Sequence, residues 1–282
     1  MPFAPVIPLS GVGGWNFLQR TQERQEALFN KSPDIQREIE YFKENIGNIT
    51  SSADLVADRR LLSVALGAFG LSDEVYKRAY VRTVIDGGTE ETGSFANRLN
   101  NTQYINFAEF FSFGNEGGFE ITEAGTDEIV EKFLAREFEE SVGDVDDTMR
   151  QALWFKREMG ELSTSDYSRT TGWLKALGSL PVRAVLESAF NLPTEFSQID
   201  LDRQVEILVD KAKLLFGSDS IDIFSDPDKM DDVLRRFHLR EQINAGPSAT
   251  TPGYTALALL GGTGNGFGAA GILNILLSNA SN

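Results

Sequence analysis

Apolar residues recur at three- and four-residue spacing along most of this chain, and almost nowhere at the two-residue spacing of a half-buried strand. Ile35, Ile39, Phe42 and Ile46 form one stripe, with Ser32 and Pro33 ahead of it as N-cap and first-turn proline. Leu55, Leu62, Ala65, Leu66 and Phe69 form a second, closed by Gly70, since glycine adopts the left-handed cap conformation without steric cost. Further stripes are Ile129, Phe133, Leu134 and Phe138; Val182, Val185, Leu186, Ala189 and Phe190; and Leu201, Val205, Leu208, Ala212 and Leu215. Met230, Val233, Leu234 and Phe237 follow Asp226-Pro227, again a cap and a first-turn proline. The phenylalanine-rich stretch from Tyr104 to Phe113 repeats at helical spacing and reads as core packing. The pattern predicts an all-α protein: one body of about ten helices over residues 1–245, packed antiparallel through short connections.

Charge changes this picture at one point. All 42 acidic and 26 basic residues lie at or before Glu241, and none follows it. Residues 246–282 form a Gly/Ala/Leu-rich, uncharged tail, too poor in apolar surface to offset the roughly 1–2 kcal/mol of backbone entropy lost per ordered residue. The tail is therefore expected to be flexible unless bound. Its apolar segment Ile272, Leu273, Ile275, Leu276 and Leu277 is the expected contact for a protein partner or another copy of the chain. The net charge of −16 disfavours nucleic acid and anionic membrane surfaces, both of which would repel it. A membrane anchor at Tyr254–Leu277 is disfavoured because Gly261-Gly262-Thr263-Gly264-Asn265-Gly266 interrupts the apolar run.

Candidate chemistry is sparse. The chain has no cysteine and one histidine, His238, which excludes thiolate catalysis and multi-histidine metal sites. Gly266-Phe267-Gly268-Ala269-Ala270-Gly271 matches the dinucleotide G-x-G-x-x-G, but no acidic residue lies beyond it to hold a ribose, so no cofactor is expected. The acidic cluster Asp219, Asp222, Asp226, Asp228, Asp231 and Asp232 fails the calcium-loop pattern, with Asp231 where glycine and Phe237 where glutamate are needed. It reads as acids at a helix start. His238 reads as a structural or surface histidine among basic neighbours, and no catalytic residue can be singled out. The reading is that the protein is not an enzyme. Carboxylate chemistry rests on acid abundance alone.

One internal similarity stands out. Leu62–Val75 reads LSVALGAFGLSDEV and Arg183–Phe196 reads RAVLESAFNLPTEF, offset by 121 positions; Ala68, Phe69, Leu71 and Glu74 match Ala189, Phe190, Leu192 and Glu195.

Three groups of residues carry a resemblance. They are Val6-Ile7-Pro8-Leu9-Ser10-Gly11 with Gly14-Trp15 and Phe17–Thr21; Tyr41-Phe42 and Glu44-Asn45-Ile46 leading to Asp54–Leu62; and Ala65–Leu71 preceding Phe95-Ala96-Asn97-Arg98-Leu99. The likeness continues through Val142-Gly143 and Ala152-Leu153-Trp154-Phe155 to Arg236-Phe237. Together these resemble the bacterial family called domain of unknown function 1217. That family has no assigned activity, so no catalytic residue carries over. Its members tend to be encoded among flagellar genes, and the resemblance implies a structural or accessory role in the bacterial flagellum. The alternative is a soluble cytoplasmic adaptor or chaperone, for which the polar opening helix Gln19–Glu26 suits a reversible surface contact. The opening Met1–Leu9, with three prolines and no basic residue, is not a secretory signal, so the expected location is the cytoplasm or outside by a route such as the flagellar secretion channel.

Overall fold

A computed structural model describes residues 3–99 and 101–246. The chain divides into two units, Met1–His238 and Leu239–Asn282. All described residues outside the loops and short 3₁₀ turns are α-helical, in thirteen helices: α1 (Gly11–Asn30), α2 (Pro33–Asn45), α3 (Ser52–Ala57), α4 (Arg59–Ala68), α5 (Arg78–Asp86), α6 (Phe95–Arg98), α7 (Thr102–Phe111), α8 (Glu123–Gly143), α9 (Asp147–Ser163), α10 (Arg169–Gly178), α11 (Leu180–Ala189), α12 (Leu201–Phe216) and α13 (Pro227–Ala245). The protein is all-α, as the periodicity predicts. Apart from Gly246, the expected tail at 246–282 lies outside the described residues, and with it Ile272, Leu273, Ile275, Leu276, Leu277 and the glycine-rich segment.

The helix number exceeds the sequence estimate partly because the Leu55–Phe69 stripe is two helices. Asp58 leaves the helical conformation (φ −89°, ψ 105°), and its carboxylate accepts from the Arg60 and Leu61 amides, capping α4. Its other oxygen accepts from the Tyr41 hydroxyl at 2.6 Å, tying the break to α2. A break that caps itself leaves the apolar spacing nearly in register, so periodicity alone reads straight through it.

Two apolar cores form in the first unit. One gathers Phe42, Leu62, Leu66, Phe69, Phe107 and Phe111 from α2, α4 and α7. The other gathers Trp15, Phe155, Trp173, Leu186, Leu208 and Phe237 from α1 and α9–α13. Helix α8 serves both: Ile129, Val130 and Phe133 enter the first, Phe138 and Val142 the second. Each fully buried side chain of this size contributes about 1.5–3 kcal/mol, so α8 is the element through which two sizeable cores are held together.

The internal similarity has a structural counterpart. Helix α4 ends with Gly70 at φ 72°, the Gly70 amide donating to the Gly67 carbonyl at 3.0 Å and the Leu71 amide to the Leu66 carbonyl at 2.9 Å. At the same 121-residue offset α11 ends with Asn191 at φ 51°, its amide donating to Ser188 at 3.0 Å and the Leu192 amide to Glu187 at 2.9 Å. These are the bonds of a Schellman cap. Each is followed by a 3₁₀ turn, Ser72–Tyr76 and Thr194–Gln198. Packing repeats as well: α2 lies on α4 and α3 on α4 and α5, as α9 lies on α11 and α10 on α11 and α12.

Two polar residues are buried, one of them against its sequence reading. Gln25, within the stretch read as an exposed contact helix, is 7% exposed. Its Oε1 accepts from the Val6 amide at 2.7 Å and its Nε2 donates to the Val6 carbonyl at 3.2 Å, strapping the N-terminal segment along α1. Gly14 makes room for that strap, since a Cβ there would lie 1.8 Å from the Leu9 carbonyl oxygen. His238 is the structural rather than the surface alternative: it is fully buried, its ring 5.2 Å from those of Trp15 and Phe237, and neither nitrogen has a hydrogen-bond partner among the described residues. Burial lowers its pKa to about 4. The acidic cluster read as a helix start includes the cap itself, Asp226 accepting from the Asp228 amide, while Asp231 accepts from Gln19, Asp219 pairs with Arg169 and Asp232 with Arg236.

Because the folded pKa of His238 lies below its unfolded value near 6.5, the unfolded chain takes the proton first. Its contribution is complete above about pH 6.5 and is lost as pH falls toward about 4, up to roughly 3 kcal/mol. Glu137, whose carboxyl burial pushes up to about 7, has the opposite slope above its unfolded pKa. The expected result is therefore a difference: urea unfolding of His238→Leu from pH 7.5 to 4.5 should show less loss of stability on acidification than the native chain. Parallel pH profiles would contradict it.

Candidate functional site

A cleft of about 550 Å³ lies where the end of α4 and the start of α7 meet α8, α9 and the α10–α11 junction. A smaller one of about 270 Å³ adjoins it, the two sharing Gln103, Arg136, Trp154, Leu180 and Pro181. Phe69, Leu99, Leu162 and Leu177 give the larger cleft apolar walls, and Leu180 on its rim is 76% exposed.

Helix spacing builds the shared floor. Arg136 continues the Ile129–Phe133 row of α8 by one more turn, placing a guanidinium where the pattern calls for an apolar residue. Glu139 follows one turn later and is 6% exposed. From α9, Trp154 and Arg157 are likewise one turn apart. Arg157 grips Glu139 with a two-pronged bond, Nε to Oε1 at 2.8 Å and Nη2 to Oε2 at 3.0 Å. Burial opposes the Arg157 charge, but the bonds and charge of Glu139 outweigh it and hold its pKa above the usual arginine value. Both guanidiniums lie against the Trp154 ring, Arg136 at 5.0 Å and Arg157 at 5.4 Å from its centroid.

Arg136 has no such partner. It forms no ion pair or hydrogen bond with the described residues, and its buried Nη1 is unsatisfied, as is the buried Nε1 of Trp154. Burial, reinforced by the Arg157 charge, lowers its pKa to about 10, so it remains a cation near neutrality. Gly70 makes room for it: a Cβ there would lie 2.6 Å from both Arg136 Nη1 and Gln103 Nε2, and the Gly70 carbonyl accepts from that Gln103 amide at 3.0 Å. The Schellman glycine thus does two jobs, ending α4 and admitting the guanidinium.

Carboxylates complete the surroundings. Glu158 and Glu161 line the larger cleft, with the Ser179 hydroxyl donating to Glu158. Lys175 lies 4.9 Å from the Tyr167 ring centroid at the same cleft. Along the smaller cleft, burial raises the pKa of Glu140, helped by Asp73; behind it, outside the lining, that of Glu137 rises through burial and the charge of Glu140. No group of three or more metal-ligating side chains occurs among the described residues.

None of these residues was singled out from the sequence as functional. On paper, charges on a helix flanking apolar stripes read as a solvated face. The readable signal was the register, with Arg136 on the apolar row of α8 and tryptophan at 154 between charged residues.

An all-helical body carrying a mixed aromatic and charged cleft defines the class, and comparison with known proteins narrows it. Residues 68–230, more than half the chain, match the family described as "Protein of unknown function (DUF1217)", and the protein belongs to that family. A crystal structure of an Agrobacterium tumefaciens protein is similar, with a TM-score of 0.66 and 25% identity over 87% of this chain and 100% of the other. No curated protein matches. Among the described residues, no helix is long and apolar enough to cross a membrane.

Removing Arg157 would leave the Glu139 carboxylate buried and unpaired. Arg157→Met is expected to cost about 3–5 kcal/mol, while Arg157→Met with Glu139→Met recovers much of that loss. Urea denaturation of the two single variants and the double variant measures the coupling. Additive losses would show that the pair does not hold α8 to α9.

Proposed function

We propose that the protein is a non-enzymatic accessory component of the bacterial flagellum that works by holding a polypeptide partner. The observation that carries the binding role is the Trp154–Arg136 floor. It joins an open, apolar-walled cleft to two buried N–H donors that the described residues leave without acceptors. Arg136 Nη1 and the indole N–H are closed off, while the Nε and Nη2 groups of the same guanidinium are not among the buried unpaired atoms and can donate to an acceptor seated in the cleft. The flagellar assignment rests on the family alone. A cytoplasmic adaptor would use the same cleft and differ in where the complex resides.

Deleting the gene is expected to impair swimming or filament assembly, with recovery on complementation by the native gene. Normal swimming with normal filaments would overturn the flagellar role. Fractionation then separates the two settings, since recovery with the basal body or outside the cell excludes the cytoplasmic adaptor.

A second reading, carboxylate-dependent catalysis, has one observation in its favour: Glu140, which lines the smaller cleft, and Glu137, one turn before it on α8, both hold their protons more tightly than usual. Full complementation by a Glu137→Gln, Glu140→Gln gene would remove that support. Loss of complementation with an intact fold would favour it over the binding reading.

A further inference from the structure

Arginine side chains across α8 and α9 are treated in two ways. Arg157 is neutralised by a two-pronged carboxylate, Glu139. Arg136, stacked on the same indole, has neither carboxylate nor carbonyl bonded to it among the described residues. Glu139 first, then Glu158 and Glu161, favour its charge from a distance without bonding it. The Gly70 backbone and the Trp154 ring flank the guanidinium, which leaves it less freedom to lose on binding.

Resting on the partner-binding role proposed above, we propose that Arg136 is the anchor for a carboxylate of the partner polypeptide, seated in the cleft against Trp154 with neighbouring apolar side chains on the Leu99, Leu162 and Leu177 walls. Charge complementarity selects this chemistry. A largely buried guanidinium without a counter-ion is best matched by a carboxylate, which meets it with two parallel bonds as Glu139 meets Arg157. A phosphate dianion is less well matched, because Glu158 and Glu161 share the cleft and would oppose the second charge. The carboxylate can come from an acidic side chain or a chain terminus. Leu180, exposed on the rim, lies where such a chain would enter.

The test uses the full-length protein and four probes built on acetyl-Gly-Leu-Leu-Glu-Leu: the free acid, its C-terminal amide, the glutamine version of each, and thus one peptide with no carboxylate. Binding is followed by the NMR signal of the Trp154 indole N–H, assigned by its loss in Trp154→Phe. Saturable shifts are expected for carboxylate-bearing peptides, with at least tenfold weaker binding of the carboxylate-free one. Whichever single-carboxylate peptide binds better identifies a side chain or a terminus as the source. Arg136→Gln should abolish the preference, and Arg136→Lys should retain part of it. Circular dichroism establishes that these variants are folded, and the peptide comparison on the native chain stands even where they are not. Equal binding of all four peptides, or no saturable shift up to millimolar concentration, would overturn the carboxylate anchor. If deletion impairs motility and an Arg136→Gln gene restores it fully, the accessory role stands and this inference fails alone. If deletion has no effect while the peptides bind as expected, the flagellar role fails and the anchor stands.

Discussion

The bidentate bond between Glu139 and Arg157 is the constraint on which the rest of the arrangement depends. Glu139 stands on α8 between Phe133, which belongs to one core, and Val142, which with Phe138 belongs to the other. Hydrophobic burial is strong but tolerant of sliding, whereas a two-pronged ion pair with its carboxylate nearly out of water fixes register and rotation. With that register set, the α9 indole comes to lie beside the α8 guanidinium. The cleft follows.

Burial also explains why the site is polar at its floor and apolar at its walls. A desolvated arginine is costly unless something compensates it. Here the indole face supplies part of the compensation and nearby acids another part, without a direct bond to Arg136. The remainder is left open. A fold built only for stability would place an apolar residue on that row of α8, as it does at Ile129 and Phe133.

Much of this fold was legible in the sequence. The stripes at Ile39 and Phe42, at Val182, Val185, Leu186 and Ala189, and at Val205, Leu208 and Ala212 become buried faces of α2, α11 and α12, because side chains three and four apart share one side of a helix. The similarity offset by 121 residues marks two turns closed by the same hydrogen bonds. What periodicity missed was the break at Asp58, where a side-chain cap starts a new helix with no glycine or proline between the two, and the burial of Gln25 and His238, whose environments are made by distant segments. The site was less legible still. Arg136, Glu139, Trp154 and Arg157 are ordinary as letters, and their meaning lies in the α8–α9 contact.

If the Arg136–Trp154 cleft is the working surface, a partner must pass its rim. Photo-crosslinking in living cells tests this most directly, with a benzoyl-phenylalanine at Leu180 on the rim and, as a comparison, at Leu214, an exposed apolar residue of α12 that does not line the cleft. The expected result is a discrete crosslinked product from position 180 that disappears when Arg136→Gln is added, and none from position 214. A silent position 180, or a product there that is indifferent to Arg136, would contradict it.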